Sequence, residues 1–253
     1  MKFSANLGFL WTDRPLAEAI HAAKAAGFDA VECHWPYDEP VAEVRAALEE
    51  TGLQMLGLNT RRGDTAAGEN GLAALPGREA EARAAIDEAL AYARAIGAAN
   101  VHVMAGFASG AEADAAFVAN LSYACEAAHP HGITVLIEPL NHYDAPGYYL
   151  ATTGHARAVI EAVGAPNLKL MFDCYHVQLM EGDLTNRLKA LLPIIGHIQF
   201  AGVPDRGAPD RGEVDFSYMF KVIDALGWAA PLGAEYKPGG PTEDTLGWFT
   251  LTR

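Results

Sequence analysis

Four short apolar runs each end in, or carry, a side chain able to bind a hard metal ion: ITVLIEP with Glu138, LKLMFD with Asp173, IIGHIQF with Gln199 and PLGAEYKP with Glu235. Each run is apolar, partly β-branched, too short for a helix and followed by a helical pattern, which is the signature of a buried parallel strand. Three carboxylates and one amide oxygen at the C-terminal ends of such strands would converge on the top of a βα barrel, the face where that fold places its active sites. Oxygen ligands of this kind suit Mg²⁺ or Mn²⁺. Without a cation, the buried carboxylates would repel one another and their pKa values would climb. The pattern therefore implies a divalent metal, and the metal implies chemistry at oxygen-bearing carbon.

Glu138 and Glu235 are expected to be metal ligands that also move protons, because a carboxylate bound through one oxygen keeps the other free as a base. The bland alternative for each is a solvent-facing carboxylate at a strand end. Asp173 reads as a pure ligand. Gln199 reads as a weaker, neutral ligand, or as an amide that only bonds a neighbour. His197 lies two residues before Gln199, on the same side of a regular strand but deeper, and is an alternative ligand. His176, three residues after Asp173 at a helix start, would stand beside the metal and bond a substrate oxygen; the alternative is a packed or capping histidine. His102 and His34 near strand ends either line the pocket or are structural. Arg206 and Arg211, on one long loop, each suit a substrate carboxylate, with one of them a solvated charge. Asn6, Asn141, His142 and Lys237 complete the polar candidates, Lys237 either reaching substrate or pairing with a ligand carboxylate.

The elements that must position these groups alternate from end to end. Strand patterns fall at 3–7, 28–33, 53–59, 100–106, the four metal-bearing runs, and helical patterns follow each, the clearest at 78–97 with leading charges and a terminal Gly97. The sixth helix is expected to be interrupted near Glu181–Asp183, and a last helix to span 243–249. Eight βα units in one domain over 1–253 give an α/β class fold, a (β/α)8 TIM barrel of ordinary length. A doubly wound open sheet is the competing fold, but no GxGxxG follows the first strand. Loops 60–77 and 202–214 exceed what barrel connections need and are expected to cover a substrate or build an interface.

The formal charge is −14, which opposes nucleic acid as a partner. Three unpaired-looking cysteines, Cys33, Cys125 and Cys174, suggest reduced thiols and a cytoplasmic location. The N-terminus does not read as a signal peptide, and no apolar stretch reaches a membrane span.

The strings RRGDTAAGENGLAALPGRE, LIEPLNHYDAPGYYL, LKLMFDCYHVQLMEGDLTN, GHIQFAGVPDRG and GAEYKP closely resemble the hydroxypyruvate isomerases, within the xylose-isomerase-like TIM barrel superfamily, over essentially the whole chain. The resemblance implies reversible conversion of hydroxypyruvate to tartronate semialdehyde (2-hydroxy-3-oxopropanoate) by a metal-assisted proton shift through a cis-enediolate, in glyoxylate and carbohydrate metabolism. It implies metal binding by Glu138, Asp173, Gln199 and Glu235, proton transfer by Glu138 and Glu235, and substrate contacts by His176 and Arg206. Homo-oligomerisation through barrel ends or long loops is a further expectation from family likeness. The loop AGVPDRGAPDRGE departs from the ADNPxRxEPGTGE usual in relatives, which bears on substrate identity. The small-molecule substrate is thus a keto-acid or a keto-sugar, with 2-oxo-tetronate isomerase and keto-sugar 3-epimerase as alternatives on the same site. An endonuclease of the superfamily is disfavoured by the charge, and a non-catalytic ligand-binding barrel by retention of the glutamates.

Overall fold

In the computed structural model, which describes residues 1–252, nine short parallel strands form a single sheet. They are β1 (Phe3–Asn6), β2 (Ala30–Glu32), β3 (Gln54–Met55), β4 (Gly57–Asn59), β5 (Asn100–His102), β6 (Thr134–Ile137), β7 (Leu168–Asp173), β8 (Ile195–Phe200) and β9 (Leu232–Ala234). The order β3-β2-β1-β9-β8-β7-β6-β5-β4 places the two consecutive strands β3 and β4 at its ends. They are halves of one barrel strand, the expected 53–59 run interrupted at Leu56. The Leu56 N–H still bonds Val31 O at 2.7 Å and the Cys33 N–H bonds Gly57 O at 3.0 Å, so the ladder closes on itself.

Helices α1 (Leu16–Ala26), α2 (Val41–Thr51), α3 (Glu79–Ile96), α4 (Ala111–Ala128), α5 (Thr153–Val163), α6 (Cys174–Met180), α7 (Leu184–Leu191) and α8 (Phe216–Ala225) alternate with the strands. Parallel neighbours need such crossovers, and the crossovers must lie outside the barrel. Helix α3 begins with Glu79 and Glu81 against its positive end and stops at Gly97, whose φ of 71° a Cβ-bearing residue would resist. The expected interruption of the sixth helix lies between α6 and α7. There Asp183 takes φ 52°, and Glu181 accepts hydrogen bonds from Thr153 N at 2.7 Å and Arg187 Nη1 at 2.7 Å.

The final element differs from expectation. Residues Thr242–Thr252 form a 3₁₀ helix rather than an α-helix over 243–249. Hydroxyls compete for the local carbonyls: Thr245 Oγ1 donates to Thr242 O at 2.7 Å and Thr250 Oγ1 to Gly247 O at 2.9 Å. Burial of Trp248, whose Nε1 donates to the Tyr236 hydroxyl at 3.2 Å, fixes the tighter winding against the barrel.

Both long loops lie over the catalytic face and are tied down. Gly71 bridges to Ala105, and a Cβ on Gly71 would sit 2.6 Å from Met104 O. In the other, Gly202 bridges to Gly207 and the Lys237 N–H bonds Arg206 O at 2.7 Å. No helix among the described residues is long and apolar enough to cross a membrane.

Candidate active site

Strand ends deliver the acidic groups. Glu138 follows β6, Asp173 closes β7, Gln199 lies near the end of β8 and Glu235 follows β9. The register pairs Asp173 with Gln199, and Gln199 with Gly233, so these groups stand side by side around the barrel mouth. All four side chains are buried, as are Asn6, His102, His176 and Arg206.

Glu138, Asp173 and His176 converge, with one potential ligand atom of each within 4.8 Å of the others. His176 Nε2 lies 3.9 Å from Glu138 Oε1 and 3.7 Å from Asp173 Oδ2. Its partners on the other side decide its chemistry. The Asn141 backbone N–H donates to His176 Nδ1 at 3.1 Å, and Asn141 Nδ2 lies 2.7 Å from the same atom. Asn141 Oδ1 already accepts from Tyr143 N and Asp144 N, which fixes the amide with its NH₂ towards the ring. Nδ1 is therefore the acceptor, and the neutral ring carries its proton on Nε2. Burial, then the Arg206 charge, hold the His176 pKa well below its usual value, so the ring stays neutral. A protonated Nε2, which has no partner here, can donate into the space between Glu138 and Asp173 but cannot serve as a metal ligand.

Arg206 is the one Lys or Arg inside the cluster among the described residues. Its Nη2 donates to Glu235 Oε2 at 2.7 Å and lies 3.5 Å from Asp173 Oδ2, while Nη1 lies 3.4 Å from Asp144 Oδ2. The guanidinium stacks 4.7 Å from the Phe9 ring centre and 5.0 Å from that of Tyr175. To aim it there the backbone takes φ 57°, a left-handed conformation unfavourable for a side-chain-bearing residue. Glu235 Oε1 accepts from Asn6 Nδ2 at 2.8 Å and His34 Nε2 at 2.9 Å.

The carboxyls consequently differ. Burial pushes Glu138 well above the ordinary carboxyl range, and the charges of Glu235 and Asp173 add to that rise. Burial also pushes Asp173 up to about 7, against the pull of Arg206. At Glu235 burial acts in the same upward sense but loses to Arg206 and His34, which hold it at about 2. Burial lowers His102 to about 4; its Nδ1 lies 3.2 Å from Asn59 Oδ1 and 3.8 Å from Glu138 Oε2.

The donor set fits a hard cation. Glu138 Oε1 and Gln199 Oε1 are buried and have no hydrogen-bond donor, although an acceptor so placed ordinarily finds one. Carboxylate and amide oxygens are the ligands that Mg²⁺ and Mn²⁺ prefer.

Some expected residues lie elsewhere. Lys237 is exposed, because the chain leaves β9 at Ala234 and the alternation that would have returned Lys237 to the face of Glu235 ends with it. Arg211 is solvated beside Asp210 at 3.7 Å, leaving Arg206 as the buried member of the pair. His142 lies at the exposed rim against Met180. His197 turns to Glu32, 2.7 Å away, rather than to the acidic cluster. Glu32 itself was missed by sequence reasoning: it also accepts from Gln199 Nε2 at 2.8 Å and Asn6 Nδ2 at 3.1 Å. The available signal was a carboxylate ending the apolar strand FDAVE, the same signal that marked Asp173.

Gly233 makes room for this layer: a Cβ there would lie 2.6 Å from Glu32 Oε1 and 2.7 Å from Gln199 Cγ. Gly233→Ala is expected to destabilise by about 1–3 kcal/mol, the usual range for overpacking. A thermal scan checks this, and an unchanged Tm would show that the layer yields freely.

Comparison with known proteins follows the same lines. A profile of the family described as xylose isomerase-like TIM barrel matches residues 20–251. The chain is 47% identical to a 2-oxo-tetronate isomerase of Cupriavidus necator, across 98% of this chain and 97% of that protein. It is 40% identical to a hydroxypyruvate isomerase of Escherichia coli (strain K12), across 98% of each. Among solved structures, one described as AP endonuclease, family 2, from Brucella melitensis superposes with a TM-score of 0.95 at 39% identity, covering 100% of this chain and 99% of that one. A D-psicose 3-epimerase superposes with a TM-score of 0.79 at 17% identity, covering 100% and 90%, a likeness of fold.

Proposed function

Because the chain belongs to the xylose isomerase-like TIM barrel family, we propose that its buried acidic cluster interconverts hydroxypyruvate and tartronate semialdehyde by a proton shift between adjacent carbons. The observation that carries this reading is a pair of buried glutamates in unlike surroundings, Glu235 held by Arg206 at 2.7 Å and Glu138 with an oxygen that has no donor, beside an orphaned histidine donor, in a chain aligned end to end with isomerases of short 2-oxo acids.

A divalent cation, Mg²⁺ or Mn²⁺, held by Glu138, Asp173, Gln199 and Glu235 would polarise the ketone and acidify the neighbouring C–H. The rest is the work of the chain. Glu235, ionised, is the acceptor for the C3 proton. The charge then spreads over the two substrate oxygens as an enediolate, against which His176 Nε2–H donates. Glu138, which would be ionised with one oxygen given to the cation, is the second proton carrier. Its other oxygen takes on the proton that Glu235 removed and delivers it to C2. The O3 hydroxyl proton passes to O2 to complete the aldehyde, and both glutamates end as they began. Arg206 is the cation for the substrate carboxylate. Drawing it away from Glu235 Oε2 restores the basicity that its 2.7 Å contact suppresses. Asn6 and His102 line the same chamber. A charge of −14 supports a small-molecule substrate over nucleic acid.

The 47% relative favours a second reading on the same residues, a four-carbon 2-oxo acid in place of the three-carbon one. Proton NMR in D₂O tests both. Metal-stripped protein with Mg²⁺ or Mn²⁺ restored is expected to place deuterium at C3 of hydroxypyruvate as tartronate semialdehyde appears. Exchange confined to the four-carbon acid would transfer the assignment to it, and exchange in neither would sink the isomerase reading.

A further inference from the structure

Glu32 ends β2 within the barrel and has no part in the proton transfer described above. Its oxygens nevertheless collect donors from three side chains on two other strands. Asn6 Nδ2 at 3.1 Å and Gln199 Nε2 at 2.8 Å reach Oε1, and His197 Nε2 at 2.7 Å reaches Oε2. No lysine or arginine pairs with it among the described residues; His197 is its one ion-pair partner. The Glu32 charge is among the causes that raise the His197 pKa, against the downward effect of burial.

An ionised carboxylate can only accept hydrogen bonds. A carboxylate in this place therefore admits Gln199 in one amide orientation, with Nε2 towards Glu32 and Oε1 away from it. That Oε1 is buried and has no donor. A rotated amide would offer an NH₂ where a cation needs a lone pair. The same logic extends through Asn6. Its Oδ1 accepts from the Gly8 N–H at 2.9 Å, and its Nδ2 donates to both Glu32 and Glu235 Oε1, the latter at 2.8 Å. Gly233 contributes by lacking a Cβ, which would collide with both Glu32 and Gln199.

We propose that Glu32 is a positioning residue: it turns the Gln199 carbonyl oxygen towards the cation and, through Asn6, holds Glu235 in its working rotamer. This rests on the metal-dependent reading of the site. It differs from a role for the Glu32 charge as such, because an uncharged acceptor of the same shape would serve. In Glu32→Gln, the amide oxygen can take Asn6 and Gln199, while its NH₂ faces His197, whose Nε2 accepts in the other tautomer.

Mn²⁺ titration of the metal-stripped protein, read by the EPR signal of the free ion, tests the assignment alongside kcat and KM. Glu32→Ala is expected to weaken Mn²⁺ binding by about 10–100-fold, as loss of a group orienting a ligand usually does. Its kcat should fall more than its KM changes. Gln199→Ala should show a similar loss of affinity, and the double variant no more than either alone. Glu32→Gln should recover most of the Mn²⁺ affinity. Wild-type affinity and kcat in Glu32→Ala would overturn the proposal, as would a double variant losing the product of the two single effects. If Glu32→Ala does not fold, Glu32→Met, of similar length but without an oxygen acceptor, takes its place: a loss like that of Gln199→Ala with recovery in Glu32→Gln supports positioning, and affinity near wild type overturns it. A wild-type chain that takes up no Mn²⁺ removes the metal reading and this assignment together. Tight wild-type uptake with indifferent Glu32 variants removes this assignment alone.

Discussion

Glu138→Gln and Glu235→Gln should each lower kcat/KM by about 10³–10⁴-fold, the upper range for loss of a proton-transferring group, while leaving a folded barrel. Both changes preserve shape and remove ionisation, so the loss reports chemistry rather than packing. The stability effects should have opposite signs. Glu138 is buried, has an oxygen with no donor, and is held well above the ordinary carboxyl range. Making it permanently neutral removes the cost of keeping protonated an acid that the unfolded chain ionises, and the Tm of metal-free protein should rise or stay level. Glu235 is the main partner of buried Arg206, at 2.7 Å, and of His34, at 2.9 Å. Neutralising it leaves a buried cation short of its counter-ion, a change that commonly costs about 3–5 kcal/mol. Its Tm should therefore fall. Turnover in the D₂O assay and a thermal scan of each variant check both halves. Near-wild-type turnover in either variant would remove that glutamate from the mechanism, and equal Tm changes would show that the asymmetry of surroundings is not felt.

The residues whose position is fixed by strand ends were the ones legible in the sequence. Glu138, Asp173, Gln199 and Glu235 stand where an apolar run stops, and in a parallel barrel that position alone determines which face a side chain reaches. The interruption near Glu181–Asp183 was legible for a similar local reason, Gly182 and Asp183 both taking positive φ. What failed was extrapolation beyond a strand. Lys237 shares the parity of Glu235, but the pleat ends at Ala234 and parity means nothing after it. Residue type and spacing alone did not separate Arg206 from Arg211, and only the family resemblance pointed to Arg206, because the backbone conformation that turns it inward, φ 57°, is one that no short-range pattern announces. Glu32 was visible as a strand carboxylate, yet its role comes from Asn6, His197 and Gln199, distant in sequence and adjacent only once the sheet has closed.

Metal removal should abolish turnover, and the uptake of the ion should depend steeply on pH. The sign follows from the resting state of the acids. Burial holds Asp173 at about 7 and Glu138 well above its usual range, so below neutral pH both carry protons that ligation must expel. Affinity for Mn²⁺ should rise with pH, with up to about two protons released per ion near pH 6 and fewer near pH 8. Glu235 adds nothing in this window, because Arg206 and His34 hold it at about 2 despite burial. The metal-free fold should follow the same groups. A carboxyl raised above its unfolded value contributes stability that is full below the unfolded pKa and is lost as pH climbs through the folded one. For Asp173 that window runs from 3.8 to about 7, so metal-free protein should lose stability across it, while Mn²⁺ restores stability at the upper end. Glu235 acts oppositely, its contribution being lost as pH falls from 4.5 towards about 2. Calorimetric titration in buffers of different ionisation enthalpy counts the released protons, and paired thermal scans with and without Mn²⁺ follow the stability. A metal-induced Tm shift that does not grow with pH, or uptake without proton release, would mean that the ion binds somewhere other than between Glu138 and Asp173.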